Sequence, residues 1–575
     1  MTSGPDSVLR VLGELLLADY FDLGSYSRDV TTSSAQARTW FNRGLVWAYA
    51  FNHEEAVACF ERAIGADPQC ALAHWGLAYA LGPNYNKPWE AFGPGEAPAA
   101  IARARAALAA GTDAGRQASP VERALVHAMA SRYPSPGPAA DGASWDPAGG
   151  AAWNEGYAAA MREVYRSHPG DLDVAALFAD ALMNLTPWAL WDTATGEPAE
   201  GAATMEAKAV LERALAGPGG QAHPGVLHMY IHLMEMSARP EDALPAGDLL
   251  RDLVPDGGHL RHMPSHLDVL CGDYRSVVAA NTAAIEADER FRARRGAMNF
   301  YTLYRAHNYH FKIYGAMFLG QQRTALEAAD QLAAAIPDGL LRVADPPMAD
   351  WLEGFVPMRM HVLIRFGRWP DILAAPLPAD PELYCVTTAM THYAKGIARA
   401  ATGQVGEAEA ERARFAAAAG RVPESRTIFN NTCRDILAVA GAMLDGEVEY
   451  RKGNHDAAFG LLRRAVELDD GLPYDEPWGW MQPARHAYGA LLLEQGHIAE
   501  AEAVYRADLG LDATLARACQ HPGNVWSLHG YHECLTRLGK AEPAGIVMQQ
   551  LKIAAARADV PVMSSCYCRL SAAES

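Results

Sequence analysis

The stretch between residues 40 and 68, WFNRGLVWAYAFNHEEAVACFERAIGADP, places large and small apolar residues at helical spacings on both sides of a turn. Gly44 and Ala56 are small enough for two helices to approach closely, while Trp47 and Phe60 are large enough to fill the groove between them. This pattern predicts two antiparallel helices in a unit of about 34 residues. One such unit leaves an apolar face uncovered, so it must stack on further copies.

Further copies follow along the chain, each with a first helix, a turn with a small residue and an Ala-rich second helix. They include HMYIHLMEMSARPEDAL, HLDVLCGDYRSVVAANTAAIEAD, HFKIYGAMFLGQQRTALEAADQL and EYRKGNHDAAFGLLRRAVELD. The turn residues are Ala238, Gly272, Gly320, Gly367, Gly403, Gly453, Gly496 and Gly539. Their repetition is typical of tetratricopeptide repeats and predicts an all-α, tetratricopeptide-type helix-turn-helix solenoid that is tightly curved.

We predict one solenoid over residues 1–575, because strand signals are nearly absent and no separate second domain stands out. Within it we expect an N-terminal cap at 1–35, N-terminal repeats at 36–220, histidine-rich repeats at 221–375, and C-terminal repeats with a cysteine-containing tail at 376–575. Successive turns lie 34, 48, 47, 36, 50, 43 and 43 residues apart. The excess over 34 residues is therefore inserted between units.

Histidines recur at fixed distances from these turns. Twelve positions lie thirteen, ten or six residues before the turns at 238, 272, 320 and 367, and most of them are histidine. The eight histidines are His228, His232, His259, His262, His266, His307, His310 and His361. Since these positions share one face of consecutive first helices, which resembles the concave groove of a tetratricopeptide array, the side chains are expected to converge.

The convergence predicts a metal site. Imidazoles four residues apart on a helix lie about 6 Å apart, and neighbouring helices pack roughly 8–10 Å apart, so successive helices can share a metal ion. Many histidines with few carboxylates favour copper, with about three imidazoles for each of two ions, and leave iron and zinc as alternatives. We expect oxidation of a small organic substrate with dioxygen, in which Glu235 and Tyr314 assist proton transfer or substrate positioning.

Three other interpretations fit the same residues. The histidines could satisfy one another in the core, or recognise an acidic peptide, which would make the protein a non-catalytic scaffold for a peptide or protein partner. A metal-storage or metal-sensing protein is the third interpretation, and the sequence does not separate it from an enzyme.

The segment FADALMNLTPWALWD contains Asn184, Trp188 and Trp191. We expect it in the core, and the alternative is that it forms an aromatic wall for a small ligand.

Charge and hydropathy argue against two kinds of partner, nucleic acids and membranes. A net charge of −19 with no basic run argues against a nucleic-acid partner. The sequence has no run of about eighteen apolar residues and no basic segment at its N-terminus, so we expect a soluble cytoplasmic protein that does not bind membranes. Nine mostly scattered cysteines indicate reduced thiols, and Cys566 and Cys568 alone lie close enough to act as a ligand pair, a redox couple or an anchor.

Several segments together resemble a known group of proteins. They are FNHEEAVACFERAI, AHWGLAYALGPNYN, VAALFADALMNLTPW, HPGVLHMYIHLME, HMPSH, HNYHF and the ending SSCYCR. The chain resembles a bacterial family of tetratricopeptide-repeat proteins with histidine-rich HxxxH repeats, over nearly its whole length. The resemblance implies the helical solenoid and carries no activity, so the metal-site prediction rests on histidine spacing.

Overall fold

The computed structural model describes residues 20–134 and 147–569, and α-helices dominate both segments. Helices α1 to α9 span Ala35–Tyr49, His53–Ala66, Ala71–Ala80, Glu96–Ala114, Pro120–Ala130, Pro147–Ser167, Leu172–Met183, Thr204–Ala216 and Pro224–Met234. Helices α10 to α18 span Leu244–Leu250, Gly258–His262, Pro264–Leu270, Tyr274–Arg295, Thr302–Phe318, Gln322–Ala335, Asp338–Leu341, Met348–Leu352 and Met358–Arg365. Helices α19 to α27 span Trp369–Ala374, Cys385–Ala401, Val405–Ala419, Cys433–Arg451, His455–Asp470, Ala484–Glu494, Ile498–Asp508, Val525–Arg537 and Ala541–Ala555.

Short 3-10 turns and one hairpin complete the secondary structure of the described residues. The 3-10 turns span Trp89–Ala91, Gly115–Gln117, Gly220–Ala222, Pro240–Ala243, Glu353–Phe355 and Arg517–Cys519. Strands β1, Thr427–Ile428, and β2, Asn431–Thr432, pair antiparallel. The predicted all-α class is therefore confirmed.

The first repeat shows why these residues form a helical hairpin. Ser34 begins α1 by accepting a hydrogen bond from the backbone N–H of Ala37, and Asn52 begins α2 in the same way. Gly44 lets α2 come close, since a methyl group there would lie 2.8 Å from the Phe60 ring. The small and large residues of the sequence pattern therefore meet across the hairpin as predicted.

The turn glycines end the first helices of successive repeats. All seven predicted turn glycines have a left-handed φ, between 61° and 84°: Gly272, Gly320, Gly367, Gly403, Gly453, Gly496 and Gly539. This conformation is the usual way for a helix to end, and glycine adopts it without strain. The extra residues lie between repeats, as in the segments 420–432 and 471–483.

The solenoid is curved so strongly that distant repeats touch. Glu55 of α2 pairs with Arg295 at the end of α13, and α1 packs against α9. At the other end, the tail folds back onto the repeats, where Ser565 accepts from Arg365 and donates to the backbone carbonyl of His486. This curvature brings the inserted segments over the histidine-bearing helices.

Three further predictions concern the boundaries of the solenoid, the cysteines and the hydropathy of the helices. Residues 1–19 of the predicted cap and residues 570–575 lie outside the described residues, and the predicted boundaries at 35, 220 and 375 stay predictions. Cys566 and Cys568 form a disulfide, while the other seven cysteines are free. Across the two described segments, no helix combines the length and the apolar content that crossing a bilayer requires.

Candidate metal centre

Four neighbouring helices supply six of the eight predicted histidines to one buried region. Helix α9 carries His228 and His232, and α11 carries His259 and His262. His266 lies on α12 and His307 on α14. Each of the six side chains is at most 7% exposed, so the region is closed to bulk water.

The first cluster consists of His228, His232 and His259, whose potential ligand atoms lie within 4.8 Å of one another. His228 donates from Nδ1 to the carbonyl oxygen of Tyr49 at 2.6 Å, which leaves its Nε2 as an acceptor 3.1 Å from Nε2 of His259. Nε2 of His232 and Nδ1 of His259 are buried without a hydrogen-bond partner among the described residues. Three imidazoles thus converge with two nitrogens unsatisfied.

The second cluster consists of His262, His266 and His307, again within 4.8 Å. His262 donates from Nδ1 to Oδ1 of Asn281 at 2.7 Å, and the Asn281 amide is oriented by donating to the backbone carbonyl of Val277. The Nε2 atoms of His262 and His266 lie 2.7 Å apart. This is a hydrogen-bond distance, shorter than the roughly 3.3 Å between two nitrogen ligands of a tetrahedral ion.

The two Nε2 atoms of the second cluster lie at hydrogen-bond distance from one another. Both Nδ1 atoms contact acceptors, Asn281 and Glu235, so each neutral ring presents a bare lone pair at Nε2. With these tautomers the two lone pairs, 2.7 Å apart, face a position for one cation, whereas a proton on Nε2 of His266 makes the same pair a hydrogen bond. Burial lowers the pKa of His262 to about 4, which disfavours a proton there. Neutral imidazole nitrogens are ligands that several transition-metal ions bind.

Burial keeps the other rings of the clusters neutral as well. Burial lowers the pKa of His228 to about 3. It also lowers the pKa of His232, His259, His266 and His307 well below the usual value, and neighbouring histidines add to the effect. Neutral imidazole is also the form that binds metal ions.

Glu235 connects the two clusters. Its Oε1 lies 2.9 Å from Nδ1 of His232 and its Oε2 lies 2.7 Å from Nδ1 of His266, so each oxygen forms a hydrogen bond with one ring. Nδ1 of His266 also contacts Glu476. Burial first, and then the neighbouring Glu476 carboxylate, raise the pKa of Glu235 well above its usual range. One carboxylate therefore orients a ring of each cluster, which is how proteins commonly hold metal-binding histidines.

Three aromatic residues with a left-handed backbone surround the clusters. Phe51, Trp188 and Phe429 have φ values of 54°, 58° and 46°, and no other non-glycine residue of the described segments has a positive φ. Each ring contacts a cluster histidine, with centroid distances of 4.5 Å for Phe51 and His228, 5.9 Å for Trp188 and His232, and 4.8 Å for Phe429 and His307. Such a conformation costs about 1–2 kcal/mol per bulky residue, so the surrounding fold holds these rings in place against strain.

The remaining predicted residues lie outside the clusters. His310 packs against Phe355 with both ring nitrogens buried and without a hydrogen-bond partner in the described part of the chain. His361 packs against Trp480, 4.9 Å away. The Tyr314 ring contacts Phe318 and His521, and neither belongs to a cluster. Neither His310, His361 nor Tyr314 joins a group of potential ligands among the described residues.

Sequence reasoning missed several residues around the clusters. Glu476 contacts His266 from the segment 471–483, and Phe51 stacks over His232 and His259 from the turn between α1 and α2. Because both residues are far from these histidines in the sequence, no local sequence pattern indicates the contacts. Trp188 packs against the hydrophobic core as expected, and its ring also contacts His232.

Comparison with known proteins identifies the repeat. The sequence profile of the tetratricopeptide repeat matches residues 37–70. No curated protein matches the chain. Among solved structures, the chain is similar to Naa15/Naa10 bound to HypK-THB, with 13% identity, a TM-score of 0.20 and coverage of 90% of this chain and 70% of that one. It is also similar to Ypp1, with 8% identity, a TM-score of 0.33 and coverage of 99% and 70%. The chain therefore contains a tetratricopeptide repeat within an all-α fold.

Proposed function

We propose that the two histidine clusters hold two metal ions and that the protein is a metal-dependent oxidoreductase acting on a small organic molecule. The observation that carries the proposal is the pair of three-histidine clusters joined by Glu235. Rings of the two clusters lie 5.8 Å apart between His232 and His266, and 5.9 Å apart between His259 and His262. Two ions bound there would act as one centre.

Copper is the metal that the ligands favour. Carboxylate-bridged iron centres use one or more Asp or Glu ligands per ion. Here Glu235 lies at hydrogen-bond distance from Nδ1 of His232 and His266 and forms a third group of potential ligands with them, so imidazole nitrogens outnumber carboxylate ligands. Iron and zinc follow copper as alternatives, since both bind imidazole.

The proposed reaction is a two-electron oxidation coupled to dioxygen. Two such oxidations supply four electrons and four protons, which reduce one dioxygen to two water molecules. Glu235 and Glu476 are placed to hold and move protons beside His266, while the aromatic residues around the clusters exclude water. Tyr314, which lies outside the clusters, is not assigned a step.

A protein or peptide partner is a second candidate, favoured by the tetratricopeptide match at residues 37–70. Peptide recognition by the histidines themselves would require an open groove, whereas His228, His232 and His262 are 0% exposed. A partner would therefore bind elsewhere on the surface. Metal storage without turnover would use the same ligands. Membership of a bacterial family with HxxxH repeats is likewise a proposal.

The metal content of a His262→Asn variant tests the proposal. We expect the bound metal to fall from about two ions per chain to about one, because the second cluster loses one of its three ligands. His392→Asn is the matched control, since His392 is a largely buried histidine paired with Glu411 away from both clusters. Elemental analysis of untagged protein, purified without chelators, measures the content. A His262→Asn variant that kept both ions would contradict the proposal.

A further inference from the structure

The outer face of α27, the last helix of the repeats, is exposed and partly apolar. Helix α27 packs against α26, and its buried side chains are Ala544, Val547 and Leu551. On the opposite face Ile546 and Ile553 are 60% and 63% exposed, more than any other large apolar side chain of the described segments. A solenoid normally ends in a repeat with a polar outer face, because an apolar one makes another repeat or another chain stack on it.

The same face carries opposite charges at its two ends. Glu542 lies in the first turn of α27. Arg557 lies just beyond the last turn, where its backbone N–H donates to the carbonyl oxygen of Ala554. Both side chains are exposed, and neither forms an ion pair with another described residue. At 3.6 residues per turn, a single stripe about 100° wide contains residues 542, 546, 549, 550, 553 and 557.

This stripe is complementary to itself in the antiparallel direction. The midpoint between Glu542 and Arg557 and the midpoint between Ile546 and Ile553 are the same point, between Gln549 and Gln550. A two-fold axis through that point would place Ile546 opposite the partner's Ile553 and Glu542 opposite the partner's Arg557. An interface between two identical surfaces requires such self-complementarity.

We propose that two copies of this chain form a dimer through α27, with the two helices antiparallel across that axis. The four isoleucines form the apolar centre, and a Glu542–Arg557 ion pair closes each end. The interface consists of one helix face per chain, so it is smaller than those of permanent dimers and the complex dissociates in the micromolar range. The dimer is independent of the metal centre and of its proposed function.

Sedimentation equilibrium of the full-length, untagged protein tests the proposal, from about 1 to about 200 µM. An ionic strength of about 0.15 M screens the repulsion between two chains of net charge −19. The mass should rise with concentration from the 61.9 kDa of one chain towards twice that value. Ile553→Glu should raise the dissociation constant at least tenfold, because it places a carboxylate in the apolar centre. Met205→Glu is the matched control, since Met205 is 56% exposed on α8.

Exchanging the charges tests the antiparallel arrangement. Glu542→Arg should weaken the dimer, because it places two arginines opposite one another at each end. Adding Arg557→Glu to the same chain should restore the dimer, because each end again pairs opposite charges. If Glu542 and Arg557 served only the dipole of their own helix, the double variant would be worse than the single one. Glu407→Arg, in the first turn of α21, is the control for the change in net charge.

The variants alter exposed side chains, so each should keep the circular dichroism spectrum of the wild-type protein. Three results would overturn the proposal. They are a wild-type protein that stays monomeric at every concentration, a dimer that Ile553→Glu does not weaken, and a double charge variant that does not regain the dimer lost in Glu542→Arg.

Discussion

At the scale of single residues, Glu235 and Glu476 differ in how far the sequence predicts them. Glu235 lies one turn beyond His232 on the same helical face, so its position beside the histidines is readable from spacing. Glu476 is 210 residues beyond His266 and reaches it only because the segment 471–483 folds inwards. Phe51 and Phe429 are missed for the same reason, since their contacts depend on turns that no local pattern specifies.

Replacing Glu235 tests whether it supports both clusters. A Glu235→Gln variant cannot take the negative charge that a bound cation favours on Glu235, and its amide group faces one Nδ1–H without accepting from it. We expect the affinity of both metal sites to fall, by about 10- to 100-fold. Competition with a chromophoric chelator measures the affinities.

The control for this variant is Glu411→Gln. It alters a similar carboxylate–histidine pair, in which Oε2 of Glu411 lies 2.7 Å from Nδ1 of His392. It should leave metal affinity unchanged. Unchanged affinity in Glu235→Gln, or the loss of one ion alone, would show that Glu235 does not orient ligands of both clusters.

At the scale of helices and turns, the sequence predicts the repeat register well. The turn glycines have the left-handed φ that a helix end requires, and the histidines counted back from them fall on neighbouring first helices. The count works less well from the repeat that ends at Gly320, because His310 and His361 pack against Phe355 and Trp480 and stay outside the clusters. His310 shares its helix with His307 but contacts Phe355, and His361 lies beyond the inserted segment 336–357.

Two turn glycines are expected to differ in their sensitivity to substitution. A Cβ at Gly403 meets no atom within 4 Å, so Gly403→Ala should cost about 1–2 kcal/mol from its left-handed φ alone. A Cβ at Gly272 would lie 2.3 Å from the carbonyl oxygen of Pro522, so Gly272→Ala adds a clash with backbone and should lower the melting temperature further. Thermal unfolding followed by circular dichroism compares the two variants. Equal melting temperatures would show that the repeats near Gly272 and Pro522 are not packed as described.

At the scale of the whole molecule, the curvature of the solenoid makes the site. The four histidine helices are near neighbours in the chain, but the residues that close the site come from the first repeat, from Trp188, and from segments around Phe429 and Glu476. An all-α repeat fold was predictable from local spacing. The closure was not, because it depends on the cumulative rotation of many repeats and on the fold of the inserted segments.

The most direct test of the central claim is X-ray absorption spectroscopy at the metal edge, together with elemental analysis of the same sample. The protein should be untagged, full-length and purified without chelators or an immobilised-metal column. We predict about two ions per chain, each bound by about three imidazole nitrogens at roughly 2.0 Å. Protein that contains no metal and fails to bind copper, iron or zinc, or a spectrum dominated by carboxylate ligands, would contradict the two-cluster centre.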